Sequence, residues 1–346
     1  MELSVTLQED IDSFSLTPDQ IEKLGGSRVV VTGATGLIGS MVVRCLAAQN
    51  CGIRLIALVR NRLKAEAMFA DLGDKVLIED ADICQYFDGS PLMADYIIHC
   101  ASPTNGRYIS DHPAQTYLLA ITTMRAILEY ARRNRVKGVV YLSSIEVCGQ
   151  IFDSDPVDET RIGAIDRQSP RSSYALGKLA AEYMAFCYAR EYGVPATVAR
   201  LTQTFGAGIA PDDNRVFAQF ARSAIEGRDI RLHTEGRSAK PYCYTVDCVS
   251  ALIYILLKGQ PGEVYNVATP GSYVTVRRLG EMFCEIFNPQ GKVVVVPVEN
   301  AAYAPDTTVN LAPDKLLALG WRPRVALPDM LRRLVRYLRE VSNSKK

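Results

Sequence analysis

Tyr174-Ala175-Leu176-Gly177-Lys178 sets a phenol and an ammonium group four residues apart, a spacing that brings both side chains to one face of a helix. A free tyrosine ionises near pH ~10, so using it as a base near neutrality takes about 4 kcal/mol of help for the phenolate. The neighbouring ammonium and a second positive charge on a bound ring would supply help of that kind. Standing alone, the pair is equally readable as two helix-surface residues. Here it has company. Val139-Val140-Tyr141-Leu142-Ser143-Ser144 reads as a buried strand that ends in hydroxyls, and Ser144 there could hold a substrate oxygen beside the phenol. If the chain stays extended past that strand, Glu146 projects to the same side as Ser144 and Ile145 to the other. A carboxylate so placed can remove a proton from carbon; the alternative is a solvated loop acid.

The element before this chemistry is a glycine turn. Val29-Val30-Val31-Thr32-Gly33-Ala34-Thr35-Gly36-Leu37-Ile38-Gly39 places three glycines between a strand and a helix. Gly33 allows the tight turn, Gly36 lets backbone approach a diphosphate, and Gly39 lets helix and strand pack closely. The helix amino end draws phosphate charge toward Thr35, Leu37 and Ile38. These residues predict a dinucleotide site, NAD or NADP. At the end of the next strand, where NAD enzymes usually offer a carboxylate, the chain has Arg60; an arginine there can pair with a 2′-phosphate and favours NADP, unless it is an ordinary surface charge. Asp82 and Ile83, past the third strand, are placed to receive the adenine.

Those groups need a sheet to hold them. Short β-branched runs at Arg28–Thr32, Arg54–Val59, Lys75–Ile78, Tyr96–His99, Val139–Ser143 and Ala196–Leu201 alternate with helical stretches at Ile38–Ala48, Ala114–Arg133 and Ser173–Tyr192. Apolar strands separated by helices specify an α/β fold, a Rossmann-like doubly wound parallel sheet covered on both faces. After Leu201 the rhythm gives way to loops, with helices near Arg215–Glu226, Asp247–Lys258 and Val276–Phe287. The expected division is an N-terminal extension over 1–26, an NAD(P)-binding domain over 27–201, a smaller C-terminal lobe for substrate over 202–341 from which some segments return to the core, and a frayed tail over 342–346. In the extension, Thr17-Pro18-Asp19-Gln20 reads as a helix start and Gly25-Gly26 as its stop.

Composition narrows the class further. Among 346 residues, 39 Lys and Arg face 38 Asp and Glu, a net charge of +1, which offers no footprint for nucleic acid or an anionic membrane. Apolar runs such as Ala251–Leu257 and 293–298 fall far short of the roughly 20 residues that span a bilayer. The acidic start carries none of the marks of a secretory signal, so a cytoplasmic location is expected. Nine cysteines lack the paired spacing of a zinc site, and no metal is expected. Cys148 is read as packing rather than as a catalytic thiol, His99 as a core or cofactor-lining residue rather than a proton shuttle, and Trp321 as packing.

Together these residues resemble the extended short-chain dehydrogenase/reductase family, the nucleotide-sugar epimerases, dehydratases and decarboxylases, from Arg28 to about Glu340. The segments His99-Cys100-Ala101-Ser102-Pro103, Ser143-Ser144-Ile145-Glu146-Val147-Cys148-Gly149, Arg200-Leu201-Thr202-Gln203-Thr204-Phe205-Gly206 and Leu319-Gly320-Trp321-Arg322-Pro323 are most similar to UDP-glucuronate decarboxylases, with dTDP-glucose 4,6-dehydratases next. The resemblance implies oxidation of a nucleotide-diphosphate sugar at C4, with Tyr174 as base, Ser144 as hydrogen-bonding partner and Lys178 as activator. It also implies Ala101 and Ser102 on the cofactor, and Pro103, Gln203 and Lys240 near substrate. A homodimer through the helices near Ala114–Arg133 and Ser173–Tyr192 follows from the same likeness. Arg215, Arg231 and Arg237 are candidates to clamp the diphosphate, each equally readable as a surface charge. The resemblance is not complete. Ile145 stands where sugar 4,6-dehydratases place an acid. Lys240 stands where decarboxylases place an arginine and lacks its planar fork, and Gln203 replaces a common Asn. Elimination or decarboxylation is the favoured reaction because Glu146 is not a feature of simple 4-epimerases. A 4-epimerase, an NADPH-dependent keto-sugar reductase, and a catalytically silent dinucleotide-binding protein are the alternatives.

Overall fold

In the computed structural model, which describes residues 3–89, 93–153, 155–296 and 306–343, seven strands form one parallel sheet. They are β1 (Arg28–Thr32), β2 (Arg54–Val59), β3 (Val76–Asp80), β4 (Tyr96–His99), β5 (Gly138–Ser144), β6 (Ala196–Leu201) and β7 (Val264–Val267). Their order is β7-β6-β5-β4-β1-β2-β3. The order reverses between β1 and β4, and it is outside the carboxyl ends of such strands that an open α/β sheet binds ligands.

Alternation along the strands divides the core. Val29, Val31, Ala57, Ile98 and Val140 face one side, against helices α3 (Leu37–Ala47) and α10 (Thr245–Lys258). Val30, Ile56, Leu58, Ile97 and Val139 face the other, against α5 (Ile83–Gly89), α7 (Pro113–Asn134) and α8 (Ser172–Tyr192). Shorter helices α4 (Arg62–Phe69) and α6 (Gly106–Asp111) follow β2 and β4.

The first residues are not a loose lead-in. Helix α1 (Val5–Ser13) and helix α2 (Pro18–Leu24), the latter closed by a Thr17/Gln20 capping box, pack on the body. Asp10 is fully buried, accepting from Tyr244 Oη at 2.7 Å and from Arg333 at 2.5 Å.

Beyond β6, α9 (Val216–Ile225), α11 (Val276–Phe287) and α12 (Asp314–Ala318) accompany short strand pairs, and β7 re-enters the central sheet beside β6. Gln203–Phe205 runs parallel to Tyr242–Tyr244, and Ala239–Lys240 lies antiparallel to Val274–Thr275. The expected frayed tail is corrected in part. Helix α13 (Leu327–Asn343) carries Ser342 and Asn343, with Ser342 bonded to the Leu338 carbonyl, and 344–346 lie outside the described residues. No helix among the described residues is long and apolar enough to cross a membrane.

Candidate active site

The glycine turn is built to admit a diphosphate. Gly33 has φ +62°, and a Cβ there would stand 2.7 Å from the Ala101 backbone, so only glycine fits. A Cβ on Gly39 would collide with the Gly33 carbonyl. Gly36 starts α3 without a side-chain cap, and the first bond closing that turn runs from Ser40 N–H to the Gly36 carbonyl. The amides of Leu37, Ile38 and Gly39 precede it, at the positive end of the helix. The residues present therefore fit an anionic dinucleotide.

Around this cradle the expected residues take up different positions. Thr35 accepts at its carbonyl from Lys64 Nζ at 3.2 Å, and Arg60, which follows β2, is exposed. Asp82 caps α5 by accepting from the amides of Cys84 and Gln85, while Ile83 is buried in the core behind it. The amide of Ala101 donates to Thr32 Oγ1, which also contacts His99 Nδ1 at 2.6 Å. Burial and the nearby Lys178 charge push the His99 imidazole down to about 3, so it remains neutral and ties the 99–101 segment to β1.

The residues expected to be catalytic converge at the carboxyl end of β5. Lys178 is 3% exposed, donates from Nζ to the Leu142 carbonyl at 2.6 Å, and stands 4.6 Å from the Tyr141 ring centroid and 5.7 Å from that of Tyr174. Burial brings its ammonium down to about 7. Tyr174 faces Ser144 and Ser102, whose hydroxyls favour its anion, but burial first and the Glu146 charge second push it up to about 12. The expected activation is thus absent from the chain by itself and requires a further positive charge over the site.

Glu146 arrives by a route other than the one its spacing implied. Residues Ile145–Cys148 form a 3₁₀ turn rather than extended chain, and Ser144 Oγ caps it by accepting from the Glu146 amide at 3.2 Å. The turn buries Ile145, Val147 and Cys148 in a small apolar cluster and leaves the Glu146 carboxylate outside. That carboxylate meets Arg171 Nη2 at 3.1 Å. Burial lowers the Lys240 ammonium below the usual lysine range, opposed by the charge of Glu146 and aided by that of Arg171.

A family model for the NAD dependent epimerase/dehydratase family matches residues 29–268. The chain belongs to that family. UDP-glucuronic acid decarboxylase 3 of Arabidopsis thaliana is 28% identical over 318 residues, 88% of this chain and 86% of the relative. A human dTDP-D-glucose 4,6-dehydratase is 24% identical, covering 90% of each. Among solved structures, UDP-glucose 4-epimerase from Thermotoga maritima with UDP-glucose superposes with a TM-score of 0.78 at 26% identity, covering 91% of this chain and 99% of that one. The family consists of enzymes, the extended short-chain dehydrogenases/reductases, and its nucleotide-sugar members share this chain's fold.

Within this epimerase/dehydratase framework the remaining residues sort by position. Ser102 and Pro103 are half-buried, Ser102 against Tyr174. Gln203 is half-buried on a strand in register with Tyr242. The Arg215 guanidinium is already engaged, bonded to Asp213 and to the Thr204 carbonyl at 3.1 Å. Arg231 and Arg237 are exposed. Cys148 is fully buried with its thiol pushed up to about 11 by burial, and Trp321 packs with its indole N–H on Ser250 Oγ at 2.8 Å.

Two residues escaped the sequence reading, Lys64 and Arg171. Arg171 carried a usable signal: a cation at the amino end of α8, where the helix dipole disfavours it, points to a task outside the helix.

Proposed function

We propose that this chain is an NAD(P)-dependent nucleotide-sugar lyase that oxidises the sugar at C4 and releases carbon dioxide from a nucleotide-linked hexuronic acid. The observation that carries the reading is the charge around Glu146. The one carboxylate near Tyr174 is paired with Arg171 at 3.1 Å, and the Lys240 ammonium lies within reach of its charge, an arrangement that suits a sugar bringing its own negative charge. The buried, apolar Ile145 supports decarboxylation over 4,6-dehydration, which needs an acid for the departing hydroxyl. The likeness to UDP-glucuronic acid decarboxylases points the same way.

In this reading residues 27–201 hold the dinucleotide, and segments within 202–341 hold the sugar. When bound, the nicotinamide supplies reversible hydride acceptance and a positive charge. Tyr174 takes the C4 hydroxyl proton while Ser144 holds the oxygen. The C4 ketone makes the carboxyl group a β-keto acid, so the C5–carboxyl bond breaks with its electron pair passing into the carbonyl. Protonated Tyr174 holds the enolate oxygen by a hydrogen bond while C5 takes a solvent proton on the side where Glu146 stands, which restores the C4 ketone. C4 would then regain its hydride from a bound reduced nicotinamide as Tyr174 gives its proton to the oxygen. Arg60 and Lys64 at the ribose end support NADP, and NAD-bound family structures such as UDP-glucuronic acid 4-epimerase from Bacillus cereus keep NAD in the comparison. Nine free thiols suit a reducing cytoplasm. Exposed Leu118 on α7 and Tyr183 and Phe186 on α8 suit a homodimer; a monomer alone in gel filtration would contradict it.

The test is a product-mass assay with UDP-, dTDP-, GDP- and CDP-linked hexoses and hexuronates, NAD and NADP supplied in parallel. Loss of carbon dioxide from a hexuronate, faster with NADP, is expected. Loss of water from a hexose, or an unchanged mass with inverted C4, would replace the reading.

A further inference from the structure

Arg171 precedes the first turn of α8 and makes no side-chain capping bond there. Its guanidinium crosses the cleft instead. Nη2 lies 3.1 Å from Glu146 Oε1, and Nη1 hangs over the start of α6, where a Cβ on Gly106 would come within 2.8 Å of it. The Arg171 and Glu146 side chains are 48% and 28% exposed, so the pair can separate without stranding a charge in the core. The Lys240 ammonium, on the strand Ala239–Lys240, lies within reach of the same charge, but an ammonium is a point charge and cannot present two parallel donors to a carboxylate.

We propose that Arg171 is the residue that reads the sugar carboxylate, and that Glu146 occupies the substrate's place on it in the free protein. Binding is then an exchange of partners. The incoming carboxylate takes the Arg171 fork, and Glu146 is released toward C5 with Lys240 as its remaining cation. Two cations face one carboxylate before the exchange and two after it. The planar fork that Lys240 lacks is supplied from a different element, the amino end of α8. Gly106 leaves Nη1 where it is: a Cβ there would come within 2.8 Å of it and displace the flexible end of the arginine.

This inference rests on the hexuronate reading, and the test separates the two. The cofactor-loaded protein is titrated with a matched nucleotide-hexuronate and nucleotide-hexose, the base chosen as the one of UDP, dTDP, GDP and CDP that binds tightest as the free diphosphate. Wild type is expected to prefer the hexuronate by about 10- to 100-fold, the scale of a charge-assisted fork. Arg171→Met should erase that preference with hexose affinity and melting temperature unchanged, and Arg171→Lys should restore only part of it. A wild type that does not discriminate would end the hexuronate reading itself. A preference that persists in Arg171→Met would overturn the role of Arg171 and leave that reading standing.

Discussion

Burial sets the starting point for Tyr174, and charge decides whether it becomes a base. Drawn partly out of water and set near Glu146, the phenol is pushed up to about 12, while Lys178, buried outright, falls to about 7. Each is displaced toward its neutral form because a low-dielectric setting penalises an isolated charge. A nicotinamide cation bound beside the phenol would oppose that shift and lower the proton affinity of Tyr174. In the proposed reaction Glu146 serves C5 after the carboxyl group has left. Glu146→Gln is expected to slow protonation of C5, and so formation of the final decarboxylated sugar, by about 10²- to 10⁴-fold, the usual range for one acid–base group, with nucleotide affinity within a few-fold of wild type. Single-turnover product analysis checks this, and an undiminished rate would remove Glu146 from the reaction. Tyr174 and Lys178 were legible in the sequence because one helix fixes their relation. Glu146, Arg171 and Lys240 were not legible as a group, because they come from a 3₁₀ turn, a helix amino end and a short strand, and only tertiary packing brings them together.

Elements show the same division between local and distant information. Strands β1, β2, β4 and β6 coincide with their β-branched runs, since buried parallel strands need nothing but apolar residues. The turn after β5 was expected to be extended. It curls instead because Ser144 caps the Glu146 amide and Gly149, at φ +64°, redirects the chain. The spacing of Leu327, Met330, Leu331, Leu334, Val335 and Leu338 holds a helix signal the sequence reading left unused, and its docking partner α1 could not be read locally. That contact carries a pH dependence. Burial, opposed by Tyr244 and Arg333, raises Asp10 to about 6. Between pH ~4 and ~6 the folded form therefore binds more protons than the unfolded one, and this group's contribution to stability grows as pH falls through that window and is lost above it. Its size is on the order of 1–3 kcal/mol. Thermal melts at pH 7 and pH 5 should show wild type gaining relative to Asp10→Asn on acidification; an equal response of both proteins would contradict the account.

Across the whole molecule, the sheet brings the two halves of the chemistry together. The glycine turn after β1 and the Ser144–Glu146 turn after β5 open on the same carboxyl edge, with β4 between them. The loop after β4 supplies Ser102 to Tyr174 and packs its Ala101 backbone against Gly33, so the diphosphate cradle and the phenol share a wall. Segments from beyond β6 bring the Lys240 ammonium within reach of the Glu146 charge. The order of strands was recoverable in outline from alternation of strand and helix. Which loops meet over the edge was not, since that depends on crossovers between distant segments.

The central claim is that Tyr174 removes the hydroxyl proton as hydrogen leaves C4, and it is tested most directly by deuterium at that carbon. In single turnovers of cofactor-loaded protein with a nucleotide-hexuronate, C4-deuterated substrate is expected to react more slowly than the protio form, and Tyr174→Phe should suppress both. Equal rates for the two substrates, together with full turnover in Tyr174→Phe, would contradict it.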